Sequence, residues 1–126
     1  MKAFLPPCLI LAALLALSLW NSAVVADFTG QCASALTAAD QQADAGDWDA
    51  ADRALRRSYA LWSRRQTYLH VVVRHEEIDN AEAMYRRARA FLETQEPSEF
   101  RAEVADLKSQ LRLLAEMEEP SIKNVL

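Results

Sequence analysis

Only two glycines occur in 126 residues. That scarcity excludes the Gly-rich loops that cradle phosphates and the glycine-kinked corners of many β architectures. Cysteine is as sparse, with two in the chain, so no disulfide framework is available. On one continuous helix Cys8 and Cys32 would stand roughly 36 Å apart, far beyond bridging distance. Neither follows the small residue that a lipid-modification box requires, the local strings being LPPC and TGQC. The chain contains no G-x-S-x-G elbow, C-x-x-C pair, H-E-x-x-H string or E-x-x-H pair. The net charge of −4 gives no reason to expect nucleic acid or an acidic partner. No feature activates a nucleophile, and an enzyme is not expected.

What is present is apolar and helix-forming. About half of the residues are hydrophobic (52 %), enough for a packed core. Alanine is abundant and arginine far outnumbers lysine, both favouring helix. Residues 1–26, MKAFLPPCLILAALLALSLWNSAVVA, carry no charge beyond Lys2 and the terminal amine. Pro6-Pro7 suit a helix start, and Cys8 to Ala26 spans roughly 28 Å, close to the hydrocarbon thickness of a bilayer. Trp20 and Phe28 are expected near the outer interface. This segment is a membrane anchor or a signal peptide, since Val24-Val25-Ala26 offers a cleavage site before Asp27. Under either reading the positive end stays inside, and residues 27–126 form a domain outside the cytoplasm, anchored or secreted.

Four amphipathic segments follow. Phe28, Cys32, Ala35, Ala39 and Ala43 recur at helical spacing as a small-residue stripe that extends the first helix. Cys32 is either buried on that stripe or paired with a second copy of the chain. Gly46 is placed to end that helix and Asp47 to cap the next. The second helix runs on Trp48, Ala51, Leu55, Tyr59, Trp62, Gln66, Leu69 and Val73. Arg53, Arg57 and Arg64 occupy its opposite face, solvated or against anionic lipid headgroups. Leu61, Tyr68 and Val72 form a second apolar strip beside them. Ile78, Ala81, Tyr85, Ala88 and Leu92 mark the third segment. Its acids come first and its arginines last, in keeping with the helix dipole. Pro97 opens the last helix, carried by Phe100, Val104, Leu107, Leu111 and Leu114, and Pro120 closes it. The fold class is therefore all-α: one N-terminal transmembrane or signal helix, then a small antiparallel bundle of about four helices. AGDWDAADRALRRSYALW is like a tetratricopeptide helix, but no 34-residue period follows.

The stretch LHVVVRHEEID, Leu69 to Asp79, concentrates the chemistry-bearing residues. Its seam passes from Val73 to Ile78, a step that rotates the apolar stripe by about 140° on a continuous helix. A break between Val73 and Asp79 is expected, with Asp79-x-x-Glu82 as capping box for the new helix. His70 and His75 would be equally far apart on an unbroken helix and unable to share a ligand. His75 and Asp79, one turn apart, supply only two ligands where zinc needs at least three. No metal or cofactor is expected. His75 and Asp79 are read as hydrogen-bonding across the joint or towards the Trp48 or Trp62 indoles.

Taken together, Asp47-Trp48-Asp49-Ala50-Ala51, Trp62, His75-Glu76-Glu77-Ile78-Asp79 and Lys123-Asn124-Val125-Leu126 resemble the family catalogued as domain of unknown function 4363. Its pattern is D-W-x-x-A, a later Trp, H-x-E-I-D and K-N-[IV]-L, in this order and spacing over nearly the whole chain. The members are richer in Lys, Ile and Glu than this sequence. The resemblance implies a small, membrane-anchored bacterial protein with its helical part outside, and so favours a retained anchor. It supplies no catalytic residue. Trp48, Trp62, His75, Glu77, Ile78, Asp79, Asn124, Val125 and Leu126 become a candidate structural or partner-contact signature.

The expected role is an interaction or assembly module of the cell membrane whose partner is itself or another membrane protein. The contact candidates are the arginine face, the tail Ile122 to Leu126 and the small-residue face around Cys32. The alternative is a small-ligand or metal-binding sensor domain of the cell envelope using His75, Glu77 and Asp79.

Overall fold

The computed structural model describes residues 3–117. They form five helices: α1 (Leu5–Asp44), α2 (Trp48–Arg64), α3 (Gln66–Val72), α4 (His75–Glu93) and α5 (Pro97–Met117). No strand occurs among the described residues. α1, α2, α4 and α5 pack in a ring, α1 against α2 and α5, and α4 against α5 and α2. Cross-helix pairs fix the directions: Cys32 beside Ser58 and Phe28 beside Trp62, then Ser58 beside Tyr85 and Trp62 beside Glu82. Each neighbour runs antiparallel to the next, as the short amphipathic segments predict.

α1 has two regimes. From Leu5 to Trp20 its large apolar side chains stand more than half exposed, and α1 as a whole is long and apolar enough to cross a membrane. From Val25 onward the helix buries Val25, Phe28, Thr29, Cys32, Ala35, Leu36, Ala39 and Ala43. The chain makes this transition without a break, because no proline or helix-breaking pair lies between Pro7 and Gly46. Phe28 is therefore in the core, against Trp62 at 6.4 Å between ring centroids, and not at a membrane interface as expected. Gly46 takes φ 81°, open to glycine without strain. Asp47 Oδ1 then accepts from the Ala50 amide at 3.1 Å, capping α2.

The second segment departs from its expected course. Its helix does not run through to Val73 but breaks at Arg65, where the Arg65 amide reaches back three residues to the Trp62 carbonyl at 3.1 Å. Gln66 restarts it as α3. A second break, the expected one, falls at Val73-Arg74, both with extended backbone (ψ 153° and 136°). α4 starts at His75, four residues before the anticipated capping box. Asp79 caps nothing, and Glu82 turns inward to α2.

α4 buries Ile78, Ala81, Tyr85, Ala88 and Leu92, and α5 buries Phe100, Val104, Leu107, Leu111 and Leu114, all ten as the spacing predicts. Gln110 joins them by bonding to α4. The core is continuous from Val25 to Leu114. Pro120 and the tail Ile122 to Leu126 lie outside the described residues.

Candidate functional site: a polar seam between α2 and α4

Three side-chain hydrogen bonds cross from α2 to α4, two of them to the Glu82 carboxylate, and a fourth, from α3, ends on the same carboxylate. Trp62, fully buried, donates its indole N–H to Glu82 Oε1 at 2.9 Å. Gln66 Nε2 donates to the same oxygen. Tyr59 Oη donates to Oε2 at 3.1 Å. One carboxylate thus collects three donors from three successive turns of the α2–α3 edge. Asp or Glu buried this far into a helix pair is retained when its oxygens are occupied in this way.

Deeper in the seam, Ser58 is enclosed. Its hydroxyl stands 3.0 Å from the Cys32 carbonyl and 2.8 Å from Tyr85 Oη, and Cys32 Sγ contacts the Ser58 carbonyl at 3.6 Å. Burial pushes the Cys32 thiol from 9.0 up to about 11, against the opposing hydrogen bonds of Tyr85 and Ser58. The Tyr85 phenol is driven above its ordinary value, first by burial and then by Cys32 beside it. Both groups stay protonated at neutral pH, so Cys32 presents a neutral thiol and no thiolate. It sits within the bundle on the small-residue stripe, and that face is consequently no exposed contact surface.

Outside this network a groove of about 240 Å³ opens between the two helices, lined by Leu55, Arg56, Tyr59, Glu82, Tyr85, Arg86 and Arg89. Tyr59 and Tyr85 meet edge to face at 5.3 Å. Arg56 pairs with the half-buried Asp52 at 2.8 Å and Arg89 with Glu93 at 3.5 Å, at the solvent edge where such pairs contribute little.

The signature residues disperse around this frame. Trp48 is half-buried, edge-on to Phe100 at 5.8 Å. Trp62 reaches Glu82, neither His75 nor Asp79. Glu77 accepts from Gln110 Nε2 through its Oε2 at 2.7 Å and its carbonyl at 3.2 Å, tying α4 to α5. Ile78 is core. Asp79 is exposed. His75 faces His70, Nδ1 to Nδ1 at 2.9 Å, because the break at Val73-Arg74 folds back what a continuous helix would hold apart. His75, Glu77 and Asp79 therefore do not converge. Among the described residues no group of three His, Cys, Asp or Glu is placed to hold a metal ion. Asn124, Val125 and Leu126 lie outside the described residues.

Three features escaped sequence reasoning. Helical spacing from 55 to 62 is met by Ser58 as well as by Tyr59, and the polar residue takes the inner place: Ser58 is buried and Tyr59 half in solvent. Glu82 was legible as an early acid of its helix and as the far member of a capping box, although a buried Trp indole on the facing helix requires an acceptor. The His70–His75 pair depends on the exact residue of the break.

A family model matches residues 19–125, described as Domain of unknown function (DUF4363). The chain belongs to this family. Neither the curated proteins nor the solved structures contain a match. The match begins inside the apolar part of α1, so the DUF4363 unit includes the place where α1 enters the bundle. Within it the H-x-E-I-D string is a joint: His75 closes on α3, Glu77 on α5, and Ile78 on the core.

Proposed function

We propose that the chain is a single-pass membrane protein, N-terminus in the cytoplasm, whose helical domain outside serves as an interaction or assembly module. Its partner is a second copy or another membrane protein, and no catalytic step is assigned to it. The observation that carries the anchored reading is the continuity of α1. Cleavage after Ala26 would cut within a helix and remove Val25, which is fully buried in the core. It would also remove Asn21, whose side chain accepts from the Tyr68 hydroxyl. These contacts support retention over secretion. The first charges, Lys2 and the amine, favour the N-in orientation.

The interaction reading draws on the α2–α4 groove, an aromatic floor rimmed by Arg56, Arg86 and Arg89. Aromatic residues and arginine are the side chains enriched where proteins meet. Native mass spectrometry of the full-length chain, extracted gently from its own membranes, tests both parts. An uncleaved chain travelling with a second subunit is expected. A chain beginning at Asp27 would overturn the anchor, and an uncleaved chain always alone would overturn the module.

The sensor reading keeps one observation in its favour, the two imidazoles meeting at 2.9 Å on an exposed joint. It uses His70 with His75 and leaves Glu77 to its bond with Gln110.

A further inference from the structure

The base of the bundle is built at a particular level of α1. The large side chains up to Trp20 are exposed, Asn21, Ser22 and Val24 are half-buried, and Val25 is enclosed. Tyr68 of α3 reaches Asn21. α3 and its joint with α4 therefore lie beside residues 21–25, one turn beyond the exposed Trp20.

Lengths then decide where this level falls. The sixteen residues from Leu5 to Trp20 span roughly 24 Å, against a hydrocarbon core of about 30 Å. The deficit of roughly 6 Å is made up by residues 21–24. With Trp20 at the headgroup level, where indoles settle, residues 21–25 occupy the polar layer, roughly 5–7 Å deep on each side. In both placements α3 is at the boundary of the bilayer, and its outward side chains suit that position. Val71 is 81 % exposed, the most exposed large hydrophobic residue among those described, and Arg64, Arg65 and Arg74 flank α3 with exposed side chains. An apolar residue among arginines suits a surface of acyl chains beneath phosphates. Water alone leaves the Val71 side chain at a cost.

We propose that α3 and the α3–α4 joint form a foot that rests in the headgroup layer, Val71 dipping towards the acyl chains and Arg64, Arg65 and Arg74 meeting lipid phosphates. This refines which arginines touch lipid. α2 runs away from the foot, so Arg57 stands roughly 10 Å and Arg53 roughly 16 Å above Arg64, out of the polar layer. The proposal rests on α1 being a membrane anchor, and its test separates the two.

Spin labels on single cysteines introduced at Leu14, Asp49 and Val71, in full-length Cys8→Ser protein, are suited to this because Cys32 is buried. In vesicles of phosphatidylethanolamine and phosphatidylglycerol, collision with oxygen and with a water-soluble nickel chelate reports depth. Position 14 should be oxygen-dominated, position 49 nickel-dominated, and position 71 intermediate, with a several-fold lower nickel collision rate than position 49. A label at Thr67, also exposed on α3, provides the repeat should Val71→Cys fold poorly. Position 71 or 67 as open to nickel as position 49, with position 14 still in oxygen, overturns the foot and leaves the anchor standing. Position 14 open to nickel overturns both.

Discussion

The indole of Trp62 and the carboxylate of Glu82 are joined by a 2.9 Å hydrogen bond across α2 and α4. Trp62 is fully buried, so its N–H has no water to turn to. Glu82→Ala should destabilise the fold by about 1–3 kcal/mol, the cost of orphaning a buried donor. Glu82→Gln keeps a carbonyl acceptor and should recover most of that loss. Chemical denaturation of the three proteins in one detergent reads the difference. Equal losses in both variants would show that the negative charge, not the hydrogen bond, holds the seam.

The Cys32 thiol links stability to pH. Its ordinary value is 9.0 and the folded chain raises it to about 11. Below pH 9 the thiol is protonated in folded and unfolded chains alike, and its contribution is fully present. Between these values the unfolded chain sheds the proton that the folded chain retains, so stability falls as pH rises. In a Cys8→Ser background, denaturation midpoints should be flat to about pH 8.5 and decline above it. Cys32→Ala should flatten the first part of the decline, before Tyr85 adds its own. The Ser58 bond to the residue 32 carbonyl survives that change, which keeps the comparison fair.

His70 and His75 offer two nitrogens to one point, one or two fewer than a zinc site uses. Adding zinc to the purified chain should move the imidazole resonances of both histidines together, weakly, without raising Tm. A stoichiometric site that survives gel filtration and disappears in His75→Ala would instead establish the sensor reading.

The core was legible because its spacing is regular. Every apolar position assigned to α4 and α5 is buried, and so is the stripe from Phe28 to Ala43, since alternation of three and four leaves one face for the interior. The break at Arg65 was not legible. Residues 63–66 read Ser-Arg-Arg-Gln, with no glycine or proline, and only the facing helix shows that Trp62 and Gln66 converge on one carboxylate. The site suffered the same limit. Residues of the H-x-E-I-D string are close in sequence but turn to α3, to α5 and to the core, and the deeper part of the polar seam comes from Cys32, Ser58 and Tyr85, which no local pattern connects.

α1 carries a mechanical consequence. Forty residues without interruption make a rod of roughly 60 Å, and the bundle grips its upper half instead of hanging from it by a linker. The domain therefore has no swivel. Tilting the lower half by about 10° sweeps the far tip, near Asp44, through roughly 8 Å. On the anchored reading proposed above, a push on the helix within the bilayer would be felt as displacement at the loop around Gly46.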